Sequence, residues 1–173
     1  MSGLVIEMAV NDPRWCEGFG DVNALCRAAA LAALAQAGLT PPRKGIELSI
    51  LLADDVEMRR LNGKFRGIDK ATNVMAFPGE ESADNAPGAR LLGDVALGYE
   101  TVCREAREQD KTAVDHLSHL VVHGCLHLAG YDHHTDADAT RMEAKEIAAL
   151  AQLGRPDPYR SDALAPRLRQ AGR

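Results

Sequence analysis

Paired cysteines, a basic leader and long apolar runs are all missing from this chain of 173 residues. The four cysteines are widely spaced and form no CxxC motif, so neither a disulfide framework nor a cysteine-based zinc site is indicated. We expect all of them to be small buried hydrophobic residues: Cys16, Cys26, Cys103 and Cys125.

No segment approaches the ~20 apolar residues that a membrane helix needs, and the start, MSGLVIEMAVNDP, has no basic leader. We therefore expect a cytoplasmic protein with no membrane partner. No repeat is visible, and 46% of the residues are hydrophobic. Residues 1–173 are expected to form a single domain, with a loosely ordered tail from about residue 155.

The charge of the chain is low overall but uneven. A net charge of −5 argues against binding polyanions through the global field of the protein. Basic residues are nevertheless concentrated in a dozen positions that contain one acid, Asp69. These residues form a local positive patch: Arg59, Arg60, Lys64, Arg66 and Lys70.

The apolar pattern predicts strands before helices. Segments rich in branched apolar residues predict strands at 4–9, 46–53, 73–77 and 91–99. Helices are predicted from Asp21 to Gly38, from Asp54 to about Leu61, near 100–109, and at about 112–129 and 136–153. The predicted fold class is α+β: a small mixed four-stranded sheet covered by about five helices.

Histidine is confined to one short segment that contains HGCLHLAGYDH. His123 and His127 are four residues apart, so on a helix both imidazoles project from one face, a turn apart. Gly130 allows the helix to end in a left-handed conformation, so that the chain folds back with His133. Three nitrogen ligands leave one position of a tetrahedral zinc ion open, as catalytic sites do. The zinc site is thus predicted on a C-terminal helix and the loop after it.

The metal alone does not identify the substrate. Such a zinc ion lowers the pKa of a bound water to about 7 and polarises carbonyl or phosphoryl oxygens. Metzincin peptidases share the HxxxHxxGxxH spacing but carry a glutamate base directly after the first histidine, where this chain has Gly124. General-base catalysis typically contributes ~10²–10⁴-fold, so peptidase activity is disfavoured. Phosphodiester cleavage depends more on charge neutralisation, for which a nearby arginine is suited.

Three segments together resemble one known family. HGCLHLAGYDH, LNGKFRGIDKATNVMAFP at 61–78 and LLGD at 91–94 are similar to the bacterial YbeY family of zinc endoribonucleases, over residues 46–160. The resemblance implies a single-strand-specific endoribonuclease that acts in ribosomal RNA maturation, notably of the 16S 3′ end, and in ribosome quality control. It also implies Zn²⁺ as cofactor, and single-stranded RNA and the ribosome or small-subunit proteins as partners.

The resemblance assigns roles to four residues. His123, His127 and His133 match the zinc ligands of the family, with His123 also counted as catalytic, and Arg66 matches its functionally important arginine. RGIDKATNVMAFP lacks the proline that the family has before the threonine and has Ala76 where serine is common. These departures weaken any role for Thr72 or Ala76.

Several roles stay open on sequence alone. Asp132 is either an acceptor that orients a ligand imidazole or a loop aspartate, and His116 and His119 lie behind the ligands or on the surface. Met142 is expected in the core.

One alternative function is a noncatalytic ribosome assembly factor in which a fourth ligand, His119 or Asp132, closes the zinc site. Another is a metallopeptidase with a base such as Glu143. Water or the RNA 2′-hydroxyl could attack the phosphate.

Overall fold

The computed structural model describes residues 3–39, 45–80 and 89–160. Its strands and helices are β1 Leu4–Val10, α1 Arg14–Phe19, α2 Val22–Gln36, β2 Ile46–Ala53, α3 Asp55–Arg66, β3 Val74–Pro78, β4 Arg90–Gly98, α4 Tyr99–Glu108, α5 Ala113–Leu128 and α6 Asp136–Gln152. None of these helices is long and apolar enough to cross a membrane. The α+β prediction is confirmed, with one helix more than expected.

The four strands form one mixed sheet in the order β1-β2-β4-β3. Strands β1, β2 and β4 are parallel, and β3 runs antiparallel to β4. The parallel strand β2 reads IELSILLA, a nearly continuous apolar run, as expected for a strand with both faces covered. Strand β3 is therefore at one edge of the described sheet, and it is packed against α5.

Three predicted helix starts are capped as expected from the sequence. The side-chain oxygens of Asp21, Asp54 and Thr135 each accept the backbone N–H three residues further on, at 2.8–3.1 Å. Such caps satisfy a donor that the first turn of a helix leaves without a partner. The polar residues before each apolar pattern thus define where α2, α3 and α6 begin.

Two helices differ from the sequence prediction. Helix α3 continues past Leu61 to Arg66, because the chain first turns at Gly67, which has a φ of +68°. The six-residue helix α1 was not predicted. Its Trp15 is fully buried, and the indole N–H donates to the carbonyl of Ala53 at 2.8 Å. The burial of Trp15 in the core stabilises this short helix. The apolar pattern of its own six residues does not indicate a helix.

Helix α5 lies on one face of the sheet and α3 on the other. Val95 and Leu97 of β4 belong to the main core, together with α2, α5 and α6. Side chains alternate along a strand, so Ala96 points to the opposite face and packs with Met58 of α3 and Met75 of β3. The helix predicted to carry the metal ligands is therefore fixed on the sheet over most of its length.

Helix α5 approaches the sheet most closely at Gly124. A Cβ added there would lie 2.7 Å from Cγ1 and 3.2 Å from Cγ2 of Val95. Val95 is fully buried, and its branched side chain has few rotamers to move into. Position 124 therefore has no space for a side chain, and the residue directly after the first metal-site histidine must be glycine for this packing.

The segment 155–160, at the start of the tail expected from the sequence, makes specific contacts with the helices. Arg155 pairs with Asp115 at 3.2 Å, and Lys111 donates to the carbonyl of Pro158 at 2.8 Å. The Tyr159 hydroxyl reaches Glu146 of α6. The rest of the expected tail, residues 161–173, lies outside the described residues.

The cysteine prediction is correct for two of four residues. Cys26 and Cys125 are fully buried in the main core, and burial raises the pKa of both thiols to about 12. Cys103 is half-buried, and Cys16 is exposed because it lies on the outer side of α1. Helix α1 turns its Trp15 side inward, so its neighbour in sequence faces outward.

Replacement of Gly124 by alanine tests the close contact between α5 and β4. Overpacking a core costs about 1–3 kcal/mol. The matched control is Gly63→Ala, since Gly63 is exposed on α3 and its added Cβ meets only an ordinary contact at 3.8 Å. Both variants gain the same helix propensity of up to about 1 kcal/mol, so their difference isolates the packing term.

We expect Gly124→Ala to have a free energy of unfolding about 1–3 kcal/mol lower than that of Gly63→Ala, measured by denaturant titration of the metal-free protein. Equal stability of the two variants would show that Val95 moves aside freely.

Candidate metal centre

The histidine helix ends where the sequence predicts. Gly130 has a φ of +99°, and its N–H donates to the carbonyl of His127 at 3.0 Å. The next N–H, of Tyr131, donates to the carbonyl of Leu126, also at 3.0 Å. This pair of bonds is the Schellman ending of a helix, in which a left-handed residue reverses the chain. The reversal directs the following residues back toward the helix.

The three predicted ligands converge at this helix end. Nε2 of His127 lies 3.1 Å from Nε2 of His123, and one ring nitrogen of each of His123, His127 and His133 lies within 4.8 Å of the others. Two nitrogens on one tetrahedral zinc ion, with bonds of ~2.0–2.1 Å, would lie about 3.3–3.4 Å apart. The donor set therefore fits a single ion of that type.

The surroundings of His127 favour its neutral imidazole. Burial lowers the pKa of His127, and the neighbouring His123 and His133 lower that pKa further. A neutral ring is the form that binds a metal ion. His133 is exposed, whereas His123 and His127 are half-buried, so the open side of the site faces the solvent near His133.

Sequence reasoning missed Glu146 of α6, which lies behind His123. The carboxylate is 1% exposed, and its Oε1 lies 2.5 Å from Nδ1 of His123. Its Oε2 accepts hydrogen bonds from Nε2 of His119, at 3.1 Å, and from the Tyr159 hydroxyl. Glu146 is 23 residues from His123 in sequence, so only the packing of α6 on α5 brings them together.

Glu146 remains ionised in this buried position. Burial by itself raises its pKa, but the hydrogen bonds from His119 and His123 and the nearby charge of His119 lower the pKa to about 2. An ionised carboxylate only accepts hydrogen bonds, so Nδ1 of His123 carries a proton. Nε2 of that ring is then the nitrogen with a free lone pair, on the side that faces His127.

His119, His123 and Glu146 form a second cluster of potential metal ligands. The distance of 2.5 Å between Glu146 and His123 decides its nature. Two atoms bound to one zinc ion at ~2.0–2.2 Å would be separated by more than 3 Å, so the contact is a hydrogen bond. His119 is thus held by the carboxylate rather than serving as a fourth ligand of the first cluster.

Arg66 lies at the same cavity as the three histidines. The cavity has a volume of about 530 Å³, and Arg66, Asn73, His123, His127 and His133 are among the residues that line it. Thr72 and Ala76 also line it, so the two positions that depart from the family pattern face the same space. Arg66 is the last residue of α3, beyond the helix end predicted at about Leu61.

Two arginines of the positive patch predicted from the sequence are neutralised by ion pairs. Arg59 forms a two-point ion pair with Asp69, at 2.6 and 2.8 Å. Arg60 forms another with Glu57, at 2.6 and 2.9 Å, since Glu57 lies one turn earlier on the same helix. Arg66 makes no ion pair with any residue in the described ranges. Its guanidinium is therefore available to an anion in the cavity.

The structure also places the residues whose roles were open. Asp132 accepts the backbone N–H of His133 at 2.7 Å and pairs with the exposed His134, so it shapes the loop and contacts no ligand imidazole. His116 is buried and bonded to Glu105 at 2.7 Å, which excludes a surface role. Met142 is a buried core residue, as expected.

Comparison with known proteins gives consistent matches. A family model described as Endoribonuclease YbeY matches residues 21–154. Proteins named Endoribonuclease YbeY from Paramagnetospirillum magneticum and Cereibacter sphaeroides are 49% and 45% identical to this chain. Each match covers 90% of this chain, and 97% and 98% of the relative. A solution structure of a Thermotoga maritima protein has a TM-score of 0.55 at 22% identity, covers 91% of this chain and 95% of its own, and supports the fold alone.

The metal content of two histidine variants tests the ligand set. His123→Ala removes one of three nitrogens, so we expect it to lose most of the bound metal and any nuclease activity. His134→Ala is the matched control, because His134 is 83% exposed, lies next to His133 and is outside the cluster. Elemental analysis of the purified proteins, beside RNase assays, should find wild-type metal content in His134→Ala. Full metal content in His123→Ala would show that the ion is bound elsewhere.

Proposed function

The chain belongs to the YbeY family, and on this premise we propose that it is a zinc-dependent, single-strand-specific endoribonuclease. Its proposed role is the maturation of ribosomal RNA, notably of the 16S 3′ end, and ribosome quality control. The relatives are named endoribonucleases, which supports RNA as the substrate. Single-stranded ribosomal RNA and ribosomal or small-subunit proteins are the proposed partners, in the cytoplasm, where that RNA is processed.

The observation that carries the proposal is the presence of Arg66 in the same cavity as the three histidines. His123, His127 and His133 would hold the zinc ion, which activates water and polarises a phosphoryl oxygen when bound. Arg66 binds the scissile phosphate through the in-plane fork of N–H donors at the edge of its guanidinium, which suits two phosphate oxygens. The same donors neutralise the charge that develops on those oxygens as the bond breaks.

The proposal explains how RNA binds a protein with a net charge of −5. Recognition would not require a uniformly basic surface, because Arg66 lines the cavity and makes no ion pair within the described ranges, so it can contact the reacting phosphate. Arg59 and Arg60 are held by carboxylates, so they contribute less to the local field. We therefore assign the phosphate contact at the site to Arg66 rather than to the whole patch.

The peptidase alternative lacks a base. Position 124 would need a glutamate, and the 2.7 Å approach of Val95 leaves no space for one. Glu143, the other candidate, is exposed and is not among the residues that line the cavity. Glu146 contacts the far side of His123, away from His127. Asp132 also lines the cavity, but its two oxygens are bonded to the His133 N–H and to His134. These described carboxylates are therefore not placed as a peptidase general base.

The noncatalytic alternative requires a closed zinc site. His119 is bonded to Glu146, and Asp132 is bonded to the His133 backbone and to His134. Neither residue is directed at the three ligand nitrogens. An open position supports catalysis, because structural zinc ions usually have four protein ligands.

Arg66→Ala tests the assigned arginine. We expect RNA cleavage to fall by about 10²–10³-fold, as for the loss of one donor that stabilises transition-state charge. Zinc content should not change, since Arg66 contacts no ligand imidazole. The matched control, Arg60→Ala, removes an equal charge from α3 at a residue that is paired with Glu57, and should cleave at nearly the wild-type rate. Equal loss of zinc and activity in Arg66→Ala would indicate a structural role instead.

Substrate choice separates the three functions. The zinc-loaded protein is incubated with single-stranded RNA, with duplex RNA of the same sequence and with unfolded casein. We expect cleavage of the single strand only. Cleavage of casein without cleavage of RNA would contradict the proposal, and RNA binding without cleavage would favour the assembly factor. A 2′,3′-cyclic phosphate on the products would identify the 2′-hydroxyl as the nucleophile.

A further inference from the structure

A buried chain of hydrogen bonds extends from the histidine cluster to the segment that follows α6. It begins at Nδ1 of His123, passes through the carboxylate of Glu146 and ends at His119 and Tyr159. Both carboxylate oxygens have partners, and the side chain is 1% exposed. A buried charge with this many partners has one defined orientation, because any rotation would leave polar groups without partners.

We propose that Glu146 is a positioning residue for His123, and that Tyr159 and His119 hold Glu146 in place. The carboxylate fixes both the ring plane and the tautomer of His123, so that Nε2 presents its lone pair to the site shared with His127 and His133. This inference rests on the proposed metal site, but it does not depend on RNA as the substrate.

The geometry on the two sides of the His123 ring supports this role. Nδ1 is 2.5 Å from Glu146 on one side, and Nε2 is 3.1 Å from Nε2 of His127 on the other. A ring held at one nitrogen by a carboxylate has a preset orientation at its other nitrogen. Metal binding then costs less conformational entropy and needs no change of tautomer.

The Tyr159 contact links the metal site to the segment 155–160. The hydroxyl donates to Glu146, and the ring packs edge-on against His119 at 5.5 Å between centroids. Lys111 and Asp115 attach the same segment to the start of α5 through Pro158 and Arg155. The segment thereby covers Glu146 and keeps water away from its oxygens.

The chain contains a matched control for this arrangement. Glu105 contacts Nε2 of His116 at 2.7 Å, so it is also a glutamate that pairs with an α5 histidine from a neighbouring helix. His116 is not a member of either potential ligand cluster. Glu105→Gln therefore removes a carboxylate–histidine contact on α5, and changes the contact of Glu105 with Asn73, without touching a ligand of the proposed site.

The experiment compares Glu146→Gln, Tyr159→Phe and Glu105→Gln with the wild type. Zn²⁺ affinity is measured by competition with a chromophoric chelator, and folding of the metal-free proteins by circular dichroism. We expect Glu146→Gln to bind Zn²⁺ about 10–100-fold more weakly, as for loss of such a partner in other metal sites. Tyr159→Phe should weaken binding in the same direction by a smaller factor. Glu105→Gln should bind as the wild type does.

A second measurement reads the tautomer without metal. Long-range ¹H–¹⁵N spectra of the metal-free wild type should show His123 protonated at Nδ1, and Glu146→Gln should shift that ring toward a mixture of tautomers. This readout remains interpretable even if Glu146→Gln is less stable, provided that it is folded.

Wild-type affinity in Glu146→Gln, or equal losses in Glu146→Gln and Glu105→Gln, would overturn the inference. Two ions per wild-type chain and one per Glu146→Gln chain would also overturn it, since Glu146 would then be a ligand. Failure of the proposed nuclease function is a separate outcome: the wild type would bind Zn²⁺ and show these affinity differences but would not cleave RNA.

Discussion

The contact between Gly124 of α5 and Val95 of β4 is the constraint on which the site depends. Because position 124 has no side chain, helix α5 lies close to the sheet. A Cβ atom added at Gly124 would be only 2.7 Å from a methyl group of Val95. This depth places His123 and His127 beside the edge strand β3, so that the histidines and Arg66 line a common cavity. The same contact excludes a glutamate base next to the first histidine. One packing requirement thus excludes the glutamate base that peptidases with this histidine spacing carry.

Two helix ends bring the functional groups into this cavity. Helix α5 ends at Gly130, and the reversed chain brings His133 to the other two histidines. Helix α3 is capped at Gly67, so that Arg66 stands at its last turn and lines the same cavity. Glycines with positive φ define both ends, because a residue with a side chain adopts that conformation at a cost. The cavity is therefore assembled by chain reversals on a fixed sheet, and needs no long loop.

Local patterns in the sequence predicted much of this fold and part of the site. The four strands, the caps Asp21 and Thr135 and the turn at Gly130 follow from short-range apolar spacing and cap chemistry, which act within a few residues. Glu146 was missed because its partner is 23 residues away on another helix, and nothing in the helical segment MEAKEIAAL marks this glutamate as buried. Helix α1 was missed because it is held by burial of Trp15 and not by its own periodicity. The ion pairs of Arg59 and Arg60 were likewise hidden, so the positive patch was overestimated.

The central claim is that one cavity holds an ion on three histidines and a phosphate on Arg66. The most direct measurement is a crystal structure with Zn²⁺ and a single-stranded oligonucleotide in which the scissile linkage is replaced by a noncleavable phosphate analogue, with anomalous data at the zinc edge. The account predicts one zinc peak bound by His123, His127 and His133, with a backbone phosphate in contact with Arg66. A zinc peak between His119 and Glu146, or an oligonucleotide whose phosphates are all remote from Arg66, would contradict it.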